Sequence, residues 1–152
     1  MADFLTTIDS DRGPIEPLPV TLVSQGTEVI LATLLAGIAS PNQTARLVSS
    51  AATTNALNLK SSATRLVGVM GYNANAEGRY LKLYNKATTP TVGTDIPALT
   101  FYLPPQRDFP PYTLGALNFP LGLGMALTAG SADADSGAVL AGDIMGLNIT
   151  FT

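Results

Sequence analysis

Between Arg79 and Lys86 the chain reads RYLKLYNK, and so regular an alternation of side-chain types points to a β-strand. Successive strand side chains point to opposite faces, so Tyr80, Lys82, Tyr84 and Lys86 share one face while Leu81 and Leu83 share the other. The leucines suit a core, and the tyrosines and lysines form a ladder on an exposed face. Turn-rich sequence follows in ATTPTVGTDIP, and another alternating run begins at Leu99. A strand half-buried in this way needs a sheet around it and a second layer against its apolar face.

The same pattern recurs along most of the chain. Arg46–Ala52 reads as a strand, and in Ala56–Lys60 the pair Leu57 and Leu59 faces away from Asn58 and Lys60. Leu66–Tyr72 is apolar on both faces, which places it centrally in a sheet. Asn73, Asn75 and Gly78 supply a permissive turn. Leu99, Phe101 and Leu103 alternate with Thr100 and Tyr102, and Pro104, Pro105, Pro110 and Pro111 then mark an extended, semi-rigid loop. Leu121, Leu123, Met125 and Leu127 form an inward row opposite the small residues Gly122, Gly124, Ala126 and Thr128, and the final run sets Met145, Leu147, Ile149 and Phe151 inward. Some seven short strands separated by Gly, Pro and Asn indicate an all-β antiparallel sandwich or barrel. A jelly roll is favoured, because two packed sheets bury both inner faces without a helical layer.

The first residues differ from the rest. Pro14, Pro17 and Pro19 each fix φ and remove a backbone donor, so residues 1–26 read as an extended N-terminal arm, and residues 27–152 as a single sandwich domain. The arm either folds back on its own domain or reaches a neighbouring subunit. Thr27–Ser40 leans toward a short helix, with Thr27 as cap and Pro41 as stop, although a strand fits the same residues.

Composition narrows the function. Charged residues are only 12% of the chain and the net charge is −3, with no basic run, which argues against nucleic acid as a partner. A surface so poor in charge suits permanent assembly, and a homo-oligomer is expected. The start, MADFLTTIDSDRG, has no basic region ahead of an apolar one, so no secretory signal is expected. The apolar run from Val29 to Ala39 is shorter than the roughly 20 residues that span a bilayer, so no membrane partner is expected either.

Catalytic equipment is sparse. The chain has no histidine and no cysteine, which removes the Ser-His-Asp and Cys-His arrangements and the usual zinc ligands. Asp133 and Asp135, in GSADADSG, are the one tight acidic pair and could hold Ca²⁺, but the stretch lacks the ladder of an EF-hand loop and reads better as a solvated turn. Gly122-Leu123-Gly124 sits in a strand pattern and is no phosphate loop. No enzymatic activity, cofactor or metal is expected. Two surfaces could bind a partner instead. The Tyr80, Lys82, Tyr84, Lys86 ladder could stack on sugars or bases or grip an acidic partner, or simply decorate the sheet. Gly122, Gly124 and Ala126 would let another backbone approach closely, either the chain's own arm or another subunit.

Several stretches carry a resemblance to a known family: LVSSAATTNALNLKSSATRLVGVMGYNA (residues 47–74), RYLKLYNKATTPTVGTDIP (79–97), GLGMALTAGSADAD (122–135) and AGDIMGLNITF (141–151). Together they resemble small virion structural proteins of tailed bacteriophages, over residues 45–152, with the RYLKLYNKA…PTVGTD wording as the specific part. That likeness implies a virion component, a capsid decoration (cement) protein with a jelly-roll body on the outer surface of the head. The implied partners are the major capsid protein and further copies of the chain, with a trimer favoured, after synthesis in the host cytoplasm. Pro14, Pro17, Pro19, Gly122, Gly124 and Ala126 are then the candidate protein contacts. The alternative is a receptor- or glycan-binding, tail-associated module that uses the Tyr/Lys ladder.

Overall fold

The computed structural model describes residues 42–152, with the backbone alone described at residues 110–116. The expected arm, with Pro14, Pro17 and Pro19, and the helix-or-strand reading of residues 27–40 lie outside the described residues. Eight strands follow in order: β1 (Gln43–Leu47), β2 (Leu57–Lys60), β3 (Thr64–Asn73), β4 (Arg79–Asn85), β5 (Leu99–Leu103), β6 (Arg107–Phe119), β7 (Leu123–Thr128) and β8 (Ile144–Phe151). They form two four-stranded sheets, ordered β1-β8-β3-β6 and β2-β7-β4-β5. Every neighbouring pair is antiparallel. Among the described residues the fold is all-β, as the alternation indicates, and it is sandwich-like.

One core joins the two sheets. The first contributes Leu66, Val69, Phe109, Phe119, Ile144, Leu147, Ile149 and Phe151, and the second Leu81, Leu83, Leu103, Leu123, Met125 and Leu127. Each large side chain removed from water in this way contributes about 1.5–3 kcal/mol before chain entropy is counted. Leu81 and Leu83 are fully buried, as their alternation predicts. So are Leu123 and Leu127 at the percent level, whereas Leu121 precedes its strand and is 61% exposed.

Three departures from the sequence expectation have identifiable physical causes. The first strand ends at Leu47, not Ala52, because Ser49 leaves the ladder: its hydroxyl accepts from the Ile144 amide at 2.9 Å, and its own amide donates to the Ile144 carbonyl. The proline-rich stretch is mostly strand. Pro104 and Pro105 lead into a tight turn, but Pro110 and Pro111 lie inside β6, an edge strand, where a missing backbone donor can face away from the ladder. Pairing passes from Val69↔Tyr112 to Gly71↔Phe109, so the extra β6 residue is absorbed around those two prolines.

The third departure is in β8. Ile144, not Met145, faces the core, and Met145 is 45% exposed. Gly146 has φ +56°, and pairing jumps there from Met70↔Asn148 to Tyr72↔Met145. One extra residue in a bulge reverses the facing of everything before it.

Candidate functional site

The outer face of the β2-β7-β4-β5 sheet carries both surfaces that the sequence singles out, and most of it is covered. Tyr80, Lys82 and Tyr84 do share this face of β4, but Lys82 is 0% and Tyr84 1% exposed. The exposed ladder of the sequence reading is therefore not present as such: Tyr80 and Lys86 are partly exposed, and the middle of the row is buried. The cover comes from two connections of the chain itself, residues 86–98 between β4 and β5 and residues 129–143 between β7 and β8.

Lys82 shows how the second cover is held. Its ammonium donates to the backbone carbonyls of Ala132 at 2.5 Å, Asp135 at 2.9 Å and Asp133 at 3.4 Å. A buried ammonium needs its donors satisfied, and here a turn that curls around it supplies them all. The acidic pair takes a structural part in that turn. The Asp135 carboxylate accepts the Gly130 amide at 2.7 Å, while Asp133 is exposed. Among the described residues, no group of three His, Cys, Asp or Glu side chains is placed to hold a metal ion.

The first cover fills the small-residue face. A Cβ on Gly124 would lie 2.7 Å from Pro90 Cγ, and one on Gly122 2.6 Å from the Lys60 carbonyl and 2.8 Å from that of Lys86. Gly122 also has φ +150°, which disfavours a side chain. Ala126 is fully buried. The close approach expected at Gly122 and Gly124 therefore occurs within the domain, against the 86–98 connection and the end of β2, and with Ala126 buried these residues are not free for a subunit contact. Lys86 and Asp95 clip the base of that connection at 2.5 Å, and the Thr91 amide donates to the same carboxylate at 2.7 Å. These bonds hold the Asp95 carboxyl below its usual range.

Tyr84 lies beneath both covers, and its hydroxyl has no hydrogen-bond partner among the described residues. Burial, reinforced by the charges of Asp95 and Asp133, pushes its pKa up. An unmade bond on a buried hydroxyl costs about 1–3 kcal/mol, so Tyr84→Phe is expected to raise stability slightly or leave it unchanged. Thermal unfolding of the two proteins checks this, and a clear loss of stability in the variant would show that the hydroxyl is satisfied.

At one end of the sandwich lies a polar network that the sequence reading did not foresee. Asp143, 5% exposed, accepts Arg79 Nε at 2.9 Å, Asn75 Nδ2 at 2.7 Å and the Leu140 amide at 2.9 Å. Arg79 also donates to Glu77 at 3.2 Å, and Asn73 donates to the carbonyls of Glu77 and Leu103. Burial pushes the Asp143 carboxyl up, but the bonds from Arg79, Asn75 and Leu140 outweigh it and hold its pKa below the ordinary carboxylate value. The Arg79 guanidinium is penalised by burial and more than compensated by Asp143 and Glu77, so its pKa is raised. Three connections are tied together here: 74–78, 104–106 through the Gln106 amide on the Asn75 carbonyl, and 138–143. The one sequence signal was the Asn73/Asn75 turn, since Asn side chains commonly bond nearby backbone.

The outside of the other sheet has no comparable roof among the described residues. Met70 and Met145 are each about half exposed there, with Tyr72, Asp108 and Asn148 around a shallow depression. Along the β1 and β2 edges a cleft of about 340 Å³ is lined by Leu47, Val48, Leu57, Met125 and Leu127. No helix among the described residues is long and apolar enough to cross a membrane. No family model, curated protein or solved structure matches the chain.

Proposed function

We propose that the chain is a structural protein of a tailed-bacteriophage virion, a capsid decoration protein with a jelly-roll body that binds the assembled head and stabilises it by bridging capsomers. The structural observation that supports the jelly-roll body of this reading is the strand order. In β1-β8-β3-β6 over β2-β7-β4-β5, every connection except β4–β5 passes between the sheets, and this alternation supports a jelly-roll winding. Jelly rolls recur in viral capsid and lectin domains. Fold alone does not assign function, and the phage assignment comes from the likeness of residues 79–97 and the accompanying stretches.

The build of the domain agrees with this role. Its long connections are clipped down by Lys82, Lys86 and Asp143, so the body offers a rigid unit. A protein that binds the assembled shell but not its separated parts stabilises the shell by mass action. The major capsid protein and further copies of the chain are the proposed partners, with residues 1–26 as the contact element now that Gly122, Gly124 and Ala126 are taken up internally. Deleting residues 1–26 should leave a folded sandwich that no longer co-sediments with expanded capsids. Undiminished co-sedimentation would overturn the arm assignment. Copy number per particle tests the location: hundreds indicate the head, and a handful the tail or portal.

A further inference from the structure

Among the described residues, no connection roofs one corner of the β2-β7-β4-β5 sheet. Tyr102 of β5 is 49% exposed and pairs in register with Tyr80 of β4, which is partly exposed. The two ring centroids lie 5.5 Å apart with planes inclined at 49°. Tyr102 is laid against the backbone of the β3–β4 turn: a Cβ on Gly78 would come 2.4 Å from its ring and 2.9 Å from its hydroxyl oxygen. On the far side, Tyr80 pairs with Thr128, the last residue of β7, and the 129–137 turn starts there, anchored on the neighbouring Lys82. The exposed side chains of Thr100, Ser131 and Asp133 belong to the elements bordering this corner.

From this juxtaposition we infer that the Tyr80–Tyr102 corner is a binding site for a neutral saccharide. A sugar ring has an apolar C–H face that can lie on an aromatic ring, and a rim of hydroxyls that bond to carboxylates and hydroxyls. The corner supplies the rings, and Thr100, two residues from Tyr102 on the same face of β5, supplies a hydroxyl, on strands whose positions are already fixed, so little ordering cost falls on binding. Its charge argues against phosphorylated ligands. Glu77 and Asp133 are exposed nearby, whereas Arg79, Lys82 and Lys86 are engaged by Asp143 and Glu77, by backbone carbonyls and by Asp95. A nucleotide would meet negative charge with no free cation on this strand to offset it. The inference stands apart from the virion reading, since a saccharide site could belong to any jelly roll.

The test uses the full chain and saturation-transfer NMR with methyl β-galactopyranoside, methyl α-glucopyranoside, methyl α-mannopyranoside and N-acetylglucosamine. Uridine and a proline-rich peptide serve as other flat or apolar ligands. At least one sugar should receive saturation on its ring C–H protons and shift the Tyr80 and Tyr102 resonances. Tyr102→Ala should weaken that binding by roughly tenfold or more, as loss of an anchoring aromatic does, while Tyr102→Phe stays within about twofold. Tyr72→Ala, on the opposite sheet, should leave it unchanged. The inference is overturned if no sugar in the panel binds, if binding survives in a folded Tyr102→Ala protein, or if only uridine or the peptide binds.

Discussion

Asp143→Ala is expected to destabilise the protein by about 3–5 kcal/mol, the usual cost of removing one partner from a buried, hydrogen-bonded ion pair. The carboxylate satisfies Arg79, Asn75 and the Leu140 amide together, and all three lose that acceptor when it goes. Arg79 is then a nearly buried cation whose remaining carboxylate, Glu77, is 79% exposed and screened by water. Domains of this size are stable by only about 5–15 kcal/mol, so the melting temperature should fall by roughly 10–20 °C. Asp143→Asn keeps the shape and separates the charge from the packing. The folded carboxyl titrates below its unfolded value of about 3.9, so its contribution is full above that pH and is lost as the pH falls through the folded pKa. Arg79 stays charged across this window and adds no slope. Denaturant unfolding between neutral pH and the acid range should show wild-type stability falling more steeply than that of Asp143→Asn. Equal slopes would show that Asp143 is not the linked group.

What could be read in advance was set by neighbours along the strand. Leu81 and Leu83, or Leu123 and Leu127, declare their face through the residues beside them, and the structure buries them accordingly. The reading failed where a single residue changes the phase. Gly146 inserts a bulge into β8, so Met145 turns outward although its sequence alternates with Leu147. It failed again at Pro110 and Pro111, because a proline's tolerance in a strand depends on whether that strand is an edge, a property of the whole sheet. The open surfaces were the least legible. Lys82 and Ala132 are 50 positions apart, and Arg79 and Asp143 are 64 apart, so nothing local announces that they meet. An alternating Tyr/Lys row is the pattern of an exposed face, and it becomes a buried one only because the chain returns twice to cover it.

Lys82→Met tests that cover directly. Methionine keeps an unbranched stem in the sheet but removes the ammonium that gathers the carbonyls of Ala132, Asp133 and Asp135. Hydrogen bonds from a charged donor are worth more than neutral ones, and an acceptor left unpaired in a covered site adds its own penalty, so the expected loss is about 2–4 kcal/mol. It stays below that for Asp143 because the freed carbonyls belong to a turn with exposed residues and can reach water by lifting away. That lifting is the more telling readout. Amide hydrogen exchange in residues 129–137 should accelerate far more than in β3 or β8, and Tyr84, shielded by the same turn, should become accessible to solvent. The bonds from the Gly130 amide to Asp135, from the Ala129 amide to the Gly137 carbonyl and from the Asp135 amide to the Ala132 carbonyl survive the substitution and provide a closure without the ammonium. If exchange in 129–137 keeps its wild-type rate, that closure suffices and the ammonium is incidental. If it rises as expected, Lys82 serves as an internal cation around which the turn folds, and that accounts for a lysine in the middle of a buried row.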